Sequence, residues 1–574
     1  MYMRTPLKTR SILFALFALF ALLALAIPLA ACSETPDAPD EDVYGPSAVL
    51  DGKADGIEVP AFGPLPDGAS FDEPFAALFA PDDPVATTEL ALIARVTDAR
   101  RADPERYDEG ANPYRIRYAV YNLRNPQIVA ALADAHDAGA DVQVLMDDAQ
   151  LDPARTWNQA DEFLIARGFE FEADARDLTD ATRTTVDLVG IHHSGLMHFK
   201  TRLFDAPGFE AAITGSMNPG DNALLNEETV HLIRDPELIG RYRDAYESIL
   251  RNQRIDNRWD DAAAVNVLFT PAASGPRAGE RLLQWIAEED ELILLMVFSL
   301  RDVHARGASR SLVDLLGDKV RAGVPVYVIT DRKQSDGVDA NGNPLYRNDD
   351  TEDELRARGV HVYEATNRRT EYTAMHHKVG IFGLTSPRVV TDAANWTFSG
   401  LGSATRVARN YESQLFIDTA ALDGGRTGRR YLTQWLRVLS RYAGQSADAG
   451  EPSYAEVRQA ITTMPGWPTQ PVSFSVEVET QYGESAFIRG DHAVLGEWGF
   501  GHGGIELGTD GDRYPLWESR EPVALPLGTK FAWKIVAAWP AGAPRWEGGE
   551  DRASIAVPRP LVPTDALTLT GSFR

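Results

Sequence analysis

Two short triplets in this sequence have the clearest chemical meaning: His198 with Lys200 in Met197-His-Phe-Lys200, and His376 with Lys378 in Met375-His-His-Lys378. Side chains on an extended chain alternate between faces, so the two ends of an H-x-K triplet project together and can address one ligand. Imidazole titrates near neutrality and can act as nucleophile or acid, while the lysine ammonium is a compact fixed cation. The same further residue types follow each triplet: Asp205, Gly215-Ser216-Met217-Asn218 and Asn226-Glu227-Glu228 after the first, Asn395-Trp396-Thr397 and Asn410-Tyr411-Glu412 after the second. Asparagine amides supply donors for the non-bridging oxygens of a phosphate, and a carboxylate behind each histidine would fix its tautomer. These residues together suit attack on phosphorus. His192, His193 and His198 cluster as metal ligands do, but their spacing fits neither H-E-x-x-H nor a cysteine–histidine site, so no metal is expected. Isolated H-x-K triplets arise by chance in a chain of 574 residues; their recurrence with the same flanking segments does not.

The elements that must carry these residues are repeated as well. In the first copy Tyr114 to Leu123 alternates as a strand, Pro126 to Ala138 puts Ile128, Leu132 and Ala135 on one helical face, and Val142 to Met146 is a second strand ending in Asp147-Asp148. In the second copy Glu291 to Phe298 is the apolar strand, Ser311 to Ala322 the helix ended at Gly323, and Val324 to Thr330 the next strand, ending in Asp331. Strands alternating with helices, without two-residue turns, imply βαβ units and an α/β class with mixed, mostly parallel sheets.

The order His198-x-Lys200-x4-Asp205 followed by Gly-Ser-x-Asn resembles the HKD signature of the phospholipase D superfamily, and two copies match its two-lobed members over about Ala76 to Ala443. The resemblance implies two αβα lobes about a pseudo-two-fold axis, one shared active site, a phosphohistidine intermediate, and no metal or other cofactor. By position it assigns His198, Lys200, Asp205, Ser216, Asn218 and Glu228 to the site from the first lobe, and His376, Lys378, Asn395 and Glu412 from the second. The intact first-lobe signature makes His198 the expected nucleophile and His376 the acid. The second lobe departs from the pattern: Gly383 stands where the family has Asp, and Asp392-Ala393-Ala394-Asn395 replaces Gly-Ser-x-Asn. A phosphate-contacting hydroxyl is thereby lost, and Asp392 could bring a carboxylate near the anion. In the first lobe the gap from Asp205 to Gly215 is longer than usual, which Ala206-Pro-Gly208 can absorb as a turn.

At the amino end Arg4, Lys8 and Arg10 precede an apolar run from Ile12 to Ile27, too short to span a bilayer and typical of a signal peptide. Leu29-Ala-Ala-Cys32-Ser33 resembles a bacterial lipobox, which implies acylation of Cys32, the single cysteine, and attachment to a membrane surface of the cell envelope. No intramolecular disulfide can form. From Ser33 to about Pro60 the sequence is Pro-, Gly- and acid-rich, as expected of a solvated tether, and Asp51-Gly-Lys-Ala-Asp55 reads as part of it. A formal charge of −28 argues against a nucleic-acid-coating role. Arg332, Lys333, Arg368, Arg369, Arg406 and Arg409 are expected to make the cleft locally positive nonetheless.

Beyond Tyr442 a polar stretch with an amphipathic segment, Tyr454 to Ile461, leads to Pro465-Gly-Trp-Pro468, and from Val472 the pattern is all-β, with Val472 to Val478 and Phe487-Ile488 alternating. Thr480 to Glu484, Leu495 to Trp498, Tyr514 to Trp517, Leu525 to Thr529, Phe531 to Lys534 and Arg545 to Glu547 resemble, in order, a family-20 carbohydrate-binding module, the starch-binding immunoglobulin-like sandwich. The resemblance implies one aromatic platform of Trp498 and Trp546 with Lys534, a second of Tyr482, Tyr514 and Trp517, and Trp533 in the core.

The expected organisation is a signal peptide at 1–31, a linker at 32–75, lobes at 76–258 and 259–443, a linker at 444–470 and the module at 471–560. The expected function is a lipid-anchored, monomeric phosphodiesterase acting on phospholipid and binding α-glucan. The alternatives are a nuclease or phosphoglycan phosphodiesterase, or a glucan-binding surface protein whose second lobe has lost catalysis.

Overall fold

In the computed structural model the described residues are 64–574 apart from 108–110, 152–157, 221, 307–308, 336–349, 370–372, 445–449, 500–503 and 541, together with the backbone of two short paired strands at Lys53–Ala54 and Ile57–Glu58. The signal segment, Cys32 and most of the acidic tether lie outside the described residues. Among the described residues no helix is long and apolar enough to cross a membrane.

The first lobe is an eight-stranded sheet built from β1 (Phe75–Ala80), β2 (Arg115–Val120), β3 (Asp141–Asp147), β4 (Phe171–Glu172), β5 (Leu188–Ile191), β6 (Lys200–Ala206), β7 (Phe209–Gly215) and β8 (Glu228–Ile233), in the order β1-β8-β7-β6-β2-β3-β5-β4. Strands β2, β3 and β5 are parallel; β6 runs antiparallel to β2, and β7, β8 and β1 continue antiparallel. The second lobe uses β9 (Val265–Thr270), β10 (Ile293–Val297), β11 (Val326–Asp331), β12 (His361–Ala365), β13 (Lys378–Phe382), β14 (Arg388–Asp392) and β15 (Glu412–Asp418), in the order β9-β15-β14-β13-β10-β11-β12. Strand for strand this is the first sheet without its last member, so the repeat read from sequence is a repeat of topology.

Helices cover the outer faces: α1 (Val85–Ala102) and α2 (Pro126–Asp137) on the first sheet, α4 (Ala278–Glu288) and α5 (Leu312–Arg321) on the second. Their starts are locally encoded. Asn125 caps α2 by accepting from the Gln127 and Ile128 amides, with Pro126 at the first helical position, and Ser311 caps α5 by accepting from the Asp314 amide. In β2, Ile116 and Tyr118 face the outer helices and Ala119 faces inward, as the period of two requires. The inner faces of both sheets share one core with α3 (Pro236–Leu250) and α6 (Arg426–Tyr442), where Phe79, Met197 and Tyr242 meet Leu294, Met375, Val379 and Trp435.

The carboxy-terminal region is an all-β sandwich whose strand Thr469–Glu477 pairs in parallel with Leu567–Ser572 and antiparallel with Leu516–Ser519 and Val523–Pro526. Where the sequence reads as a linker, Tyr454–Thr462 forms helix α7, closed at its start by a capping box of Ser453 and Glu456. Val457 and Ile461 of α7 and Leu527 of the sandwich join the core between the sheets, and Leu561 joins the outer core of the first lobe. Arg430 of α6 donates to the Pro558 carbonyl at 2.8 Å, and the Ser70 amide donates to the Leu561 carbonyl at 2.8 Å. The sandwich is docked on the lobes and does not hang from a free tether.

Candidate active site

Each H-x-K triplet stands where its chain enters the central antiparallel strand of its sheet, so Lys200 opens β6 and Lys378 opens β13. Equivalent groups pin the two approaches. Asp147, ending β3, accepts from the Met197 amide at 2.8 Å, and Asp331, ending β11, accepts from the Met375 amide at 3.0 Å. The Tyr121 amide donates to the Phe199 carbonyl at 3.0 Å and the Phe298 amide to the His377 carbonyl at 2.7 Å. The next contacts cross between lobes: Asn410 Oδ1 accepts from the Leu196 amide at 3.1 Å, and Asn226 Oδ1 accepts from the Ala374 amide at 2.9 Å. Backbone bridges join Met197 to Tyr411 and Met375 to Glu227.

This exchange sets the catalytic geometry. His198 Nδ1 lies 2.8 Å from Glu412 Oε2, and His376 Nδ1 lies 2.7 Å from Glu228 Oε2. The carboxylate that orients each imidazole thus comes from the opposite lobe, and Nε2 is left as the nitrogen that can react. All four side chains are buried, as are Lys200 and Lys378. The lysines fold back alike, Lys200 Nζ donating to the His198 carbonyl at 3.1 Å and Lys378 Nζ to the His376 carbonyl at 3.0 Å, with Lys378 Nζ also on His376 Nε2. Burial, reinforced by both lysines, pushes His198 and His376 well below the ordinary histidine range in the free protein, a pull that the carboxylate on each Nδ1 and a bound phosphate anion oppose. Burial pushes the Glu228 carboxyl up against the pull of Lys378.

Asn218 and Asn395 occupy equivalent buried positions, each on the segment leaving the strand beside its lysine strand. Ser216 is drawn elsewhere than the resemblance implies: its Oγ donates to Glu228 Oε2 at 2.5 Å and accepts from the Thr229 amide at 2.9 Å. It braces the carboxylate behind His376. Asn226 Nδ2 donates to the other oxygen of Glu228 at 3.2 Å, and Asn410 Nδ2 to Glu412 at 3.3 Å. The equivalent of Ser216 in the second lobe is Ala393, so the hydroxyl absent there is a brace for Glu412.

Two expectations are corrected. Asp392 does not approach the anion position: Oδ1 accepts from Thr214 Oγ1 at 2.8 Å and Oδ2 from Tyr242 OH at 2.7 Å, in a buried network between the lobes. It holds φ +111° where the first lobe has Gly215 at φ +143°. Nor does Asp205 belong with the histidines. It lies five residues along β6 from Lys200, about 17 Å away for an extended strand, and Arg243 Nη2 is 3.1 Å from its Oδ1. The three clustered histidines diverge: His192 bonds Asp148, His193 the Arg409 carbonyl and Asn252, and His198 Glu412. Among the described residues no group of three or more His, Cys, Asp or Glu could hold a metal ion. Of the cleft cations expected, Lys333 is buried on the Thr373 carbonyl and Arg369 donates to the Leu225 carbonyl, whereas Arg368 and Arg406 are exposed.

In the sandwich, Trp498 and Trp546 are half-buried with ring centroids 6.3 Å apart, and Lys534 beside them donates to the Gly549 carbonyl at 2.8 Å. Tyr482 projects fully into solvent and Tyr514 is exposed. Trp517 is not part of that second face: it lies in the core, its Nε1 donating to the Val478 carbonyl at 3.1 Å. Trp533 is core, as expected. The exposed indole beside Tyr482 is Trp539, whose Nε1 donates to the Tyr482 carbonyl at 3.3 Å. The sequence signal was its place just past strand Lys530–Ala538, beside the turn-favouring residue types Pro540 and Gly542.

A two-lobed α/β fold with reciprocal His–Glu pairs around paired H-x-K triplets defines a phospholipase D-like protein. Residues 110–250 and 282–423 match the family model described as "Cardiolipin synthase, PLD-like domain", and residues 469–562 match the one described as "Starch binding domain". The chain belongs to the phospholipase D-like family over its two lobes and carries a family-20 starch-binding domain. It is 35% identical over 103 residues to an α-amylase of Streptomyces violaceus, covering 18% of this chain and 16% of that protein. It is 33% identical over 126 residues to a glucoamylase of Neurospora crassa, covering 20% of each. The chain thus spans at most a fifth of these curated relatives. Among solved structures, a polyphosphate kinase of Porphyromonas gingivalis superposes with TM-score 0.41 at 16% identity, over 68% of this chain and 56% of that one. Nuc, a phospholipase D family member of Salmonella typhimurium, superposes with TM-score 0.23 at 17% identity, over 31% of this chain and 95% of that one.

Proposed function

We propose that the protein is a phosphodiesterase that works through a phosphohistidine, with one histidine from each lobe. The observation that carries this reading is the crossed pair of hydrogen bonds, His198 to Glu412 and His376 to Glu228, which makes one site of two lobes. In the first step Nε2 of neutral His198 attacks phosphorus and a P–N bond forms as the P–O bond to the leaving alcohol breaks. The leaving oxygen takes a proton from Nε2 of His376, which enters this step as the imidazolium that Glu228 stabilises through Nδ1 and returns to it in the second step. In the second step His376 removes a proton from water, the hydroxide attacks phosphorus and the P–N bond breaks, which restores His198. Glu412 and Glu228 accept from Nδ1 throughout and stabilise the imidazolium that each step requires. Lys200, Lys378, Asn218 and Asn395 supply positive charge and amide donors to the non-bridging oxygens.

Phospholipid is the substrate class we favour, because the lipobox-like Leu29-Ala-Ala-Cys32 would hold the enzyme at a lipid surface of the cell envelope and the net charge of −28 opposes a nucleic acid. The sandwich would bind α-glucan through Trp498, Trp546 and Lys534 on one side and Tyr482, Tyr514 and Trp539 on the other, since exposed flat aromatic faces suit the apolar side of a sugar ring. Assay of the purified protein on phosphatidylcholine, bis-p-nitrophenyl phosphate and single-stranded DNA tests the reading. Turnover of the first two, lost in His198→Ala and in His376→Ala, is expected. DNA cleavage alone would replace the lipid, and no cleavage of any substrate would end the enzyme reading.

A further inference from the structure

The two lobes share a topology but not their loops, and two of the differences meet at one place. Between strand β2 and the cap of α2 stand residues 121–124; at the equivalent place between β10 and the cap of α5 stand 298–310. Between Asn218 and Asn226 stand 219–225; between their equivalents Asn395 and Asn410 stand 396–409. Both second-lobe insertions are basic, and they meet. With the start of α4 they line a pocket formed by Arg277, His304, Arg306 and Arg406, walled by Thr270 and Leu401.

One wall of the pocket is joined to the strand that carries Glu412. Thr270 is paired across the sheet with Glu412, the partner of His198, and its Oγ1 donates to the Asn410 carbonyl at 2.9 Å. The acidic groups here are few. Glu280 lines the pocket with Oε1 at 4.0 Å from Arg277 Nε, and Asp302 lies 3.6 Å from His304 Nε2. Arg306 and Arg406 project from the two insertions with exposed side chains. Three guanidiniums against one lining carboxylate, in a chain of net charge −28, is a local excess of the chemistry that grips phosphate oxygens in bidentate fashion.

We propose that this pocket is a second-anion subsite, which receives a phosphate monoester group carried by the substrate next to the phosphodiester that is cleaved. The proposal rests on the phosphodiesterase reading and narrows its substrate class to diesters bearing a further phosphate. Its probes are the p-nitrophenyl ester of thymidine 5′-phosphate and the same ester phosphorylated at the 3′ position. With the full chain, KM for the 3′-phosphorylated ester is expected to be about tenfold lower, as for one charge-assisted contact. Arg306→Ala with Arg406→Ala should bring the ratio of the two KM values close to one. Equal KM values in the unaltered protein, or a ratio that survives the double substitution, would overturn the subsite. If neither ester is cleaved, the phosphodiesterase reading stands or falls on its own with phosphatidylcholine and bis-p-nitrophenyl phosphate. Calorimetric binding of the 3′-phosphorylated ester then decides the subsite: binding lost in the double variant supports it, and equal binding in both proteins overturns it.

Discussion

Replacing Glu228 by glutamine tests the crossing of the two lobes. The carboxylate of Glu228 accepts from His376 Nδ1 at 2.7 Å, from Ser216 Oγ at 2.5 Å and from Asn226 Nδ2 at 3.2 Å, all in a buried setting. With its carbonyl oxygen toward His376 and Ser216, glutamine keeps the shape and the acceptor for those two donors, loses the one for Asn226 Nδ2, and removes the charge that supports the His376 imidazolium. A hydrogen bond to a charged group is worth about 1.5–3 kcal/mol, so kcat should fall roughly ten- to hundredfold, at 1.36 kcal/mol per factor of ten. A nearby negative charge favours protonated imidazole, so its removal should also move the pH limb belonging to His376 to lower pH. The assay is the pH profile of bis-p-nitrophenyl phosphate hydrolysis, with imidazole NMR of both histidines. Glu228→Gln should displace the His376 resonances and leave those of His198 in place. A displaced His198, or activity within about threefold of the unaltered enzyme with no shift of the limb, would refute the crossed arrangement.

Trp517→Ala should destabilise the sandwich by about 3–5 kcal/mol, as a core truncation, whereas Tyr482→Ala and Trp539→Ala should weaken retention on starch with little change in Tm. Asp392 is buried and its carboxyl is pushed up to about 6 by that burial, against the bonds from Tyr242 and Thr214. The folded protein therefore binds an extra proton between about pH 4 and 6, stability falls as pH rises through that window, and the cost, about 3 kcal/mol, is fully present above it. Asp392→Asn should raise Tm at pH 7, and thermal melts of the two proteins should converge below pH 4. Because Leu527 and Leu561 are part of the lobes' cores, a chain ended before the sandwich should melt at lower temperature than the full chain, by scanning calorimetry.

The parts of the site set by local pattern were legible in the sequence. The H-x-K spacing, the recurring Asn-x-Glu segments and the acids ending β3 and β11 each follow from strand alternation or from repetition. Which carboxylate serves which histidine was not legible, because the partners lie 214 and 148 residues apart and only the docking of two sheets brings them together. Asp205 was misread by following a motif past its geometry. It stands an odd number of residues from Lys200 on one strand and so faces the other way, which the period of two could have revealed. Trp517 was misplaced, and Trp539 passed over, for a related reason: a list of aromatic residues does not say which face of a short strand is inward. The docking of the sandwich depends on long-range contacts of Leu527 with the core of α6 and α7 and of Leu561 with the outer core of the first lobe, which no local pattern encodes.

The central claim is that one histidine from each lobe serves a single phosphoryl-transfer site. It is tested most directly by quenching the enzyme during turnover of bis-p-nitrophenyl phosphate and mapping the p-nitrophenylphosphoryl adduct by peptide mass spectrometry. The account predicts a single adduct on His198, absent from His198→Ala, with no multiple turnover in either His198→Ala or His376→Ala. An adduct on His376 would exchange the two roles and leave the shared site standing. An adduct on any other residue, or sustained turnover in either histidine variant, would contradict the shared site.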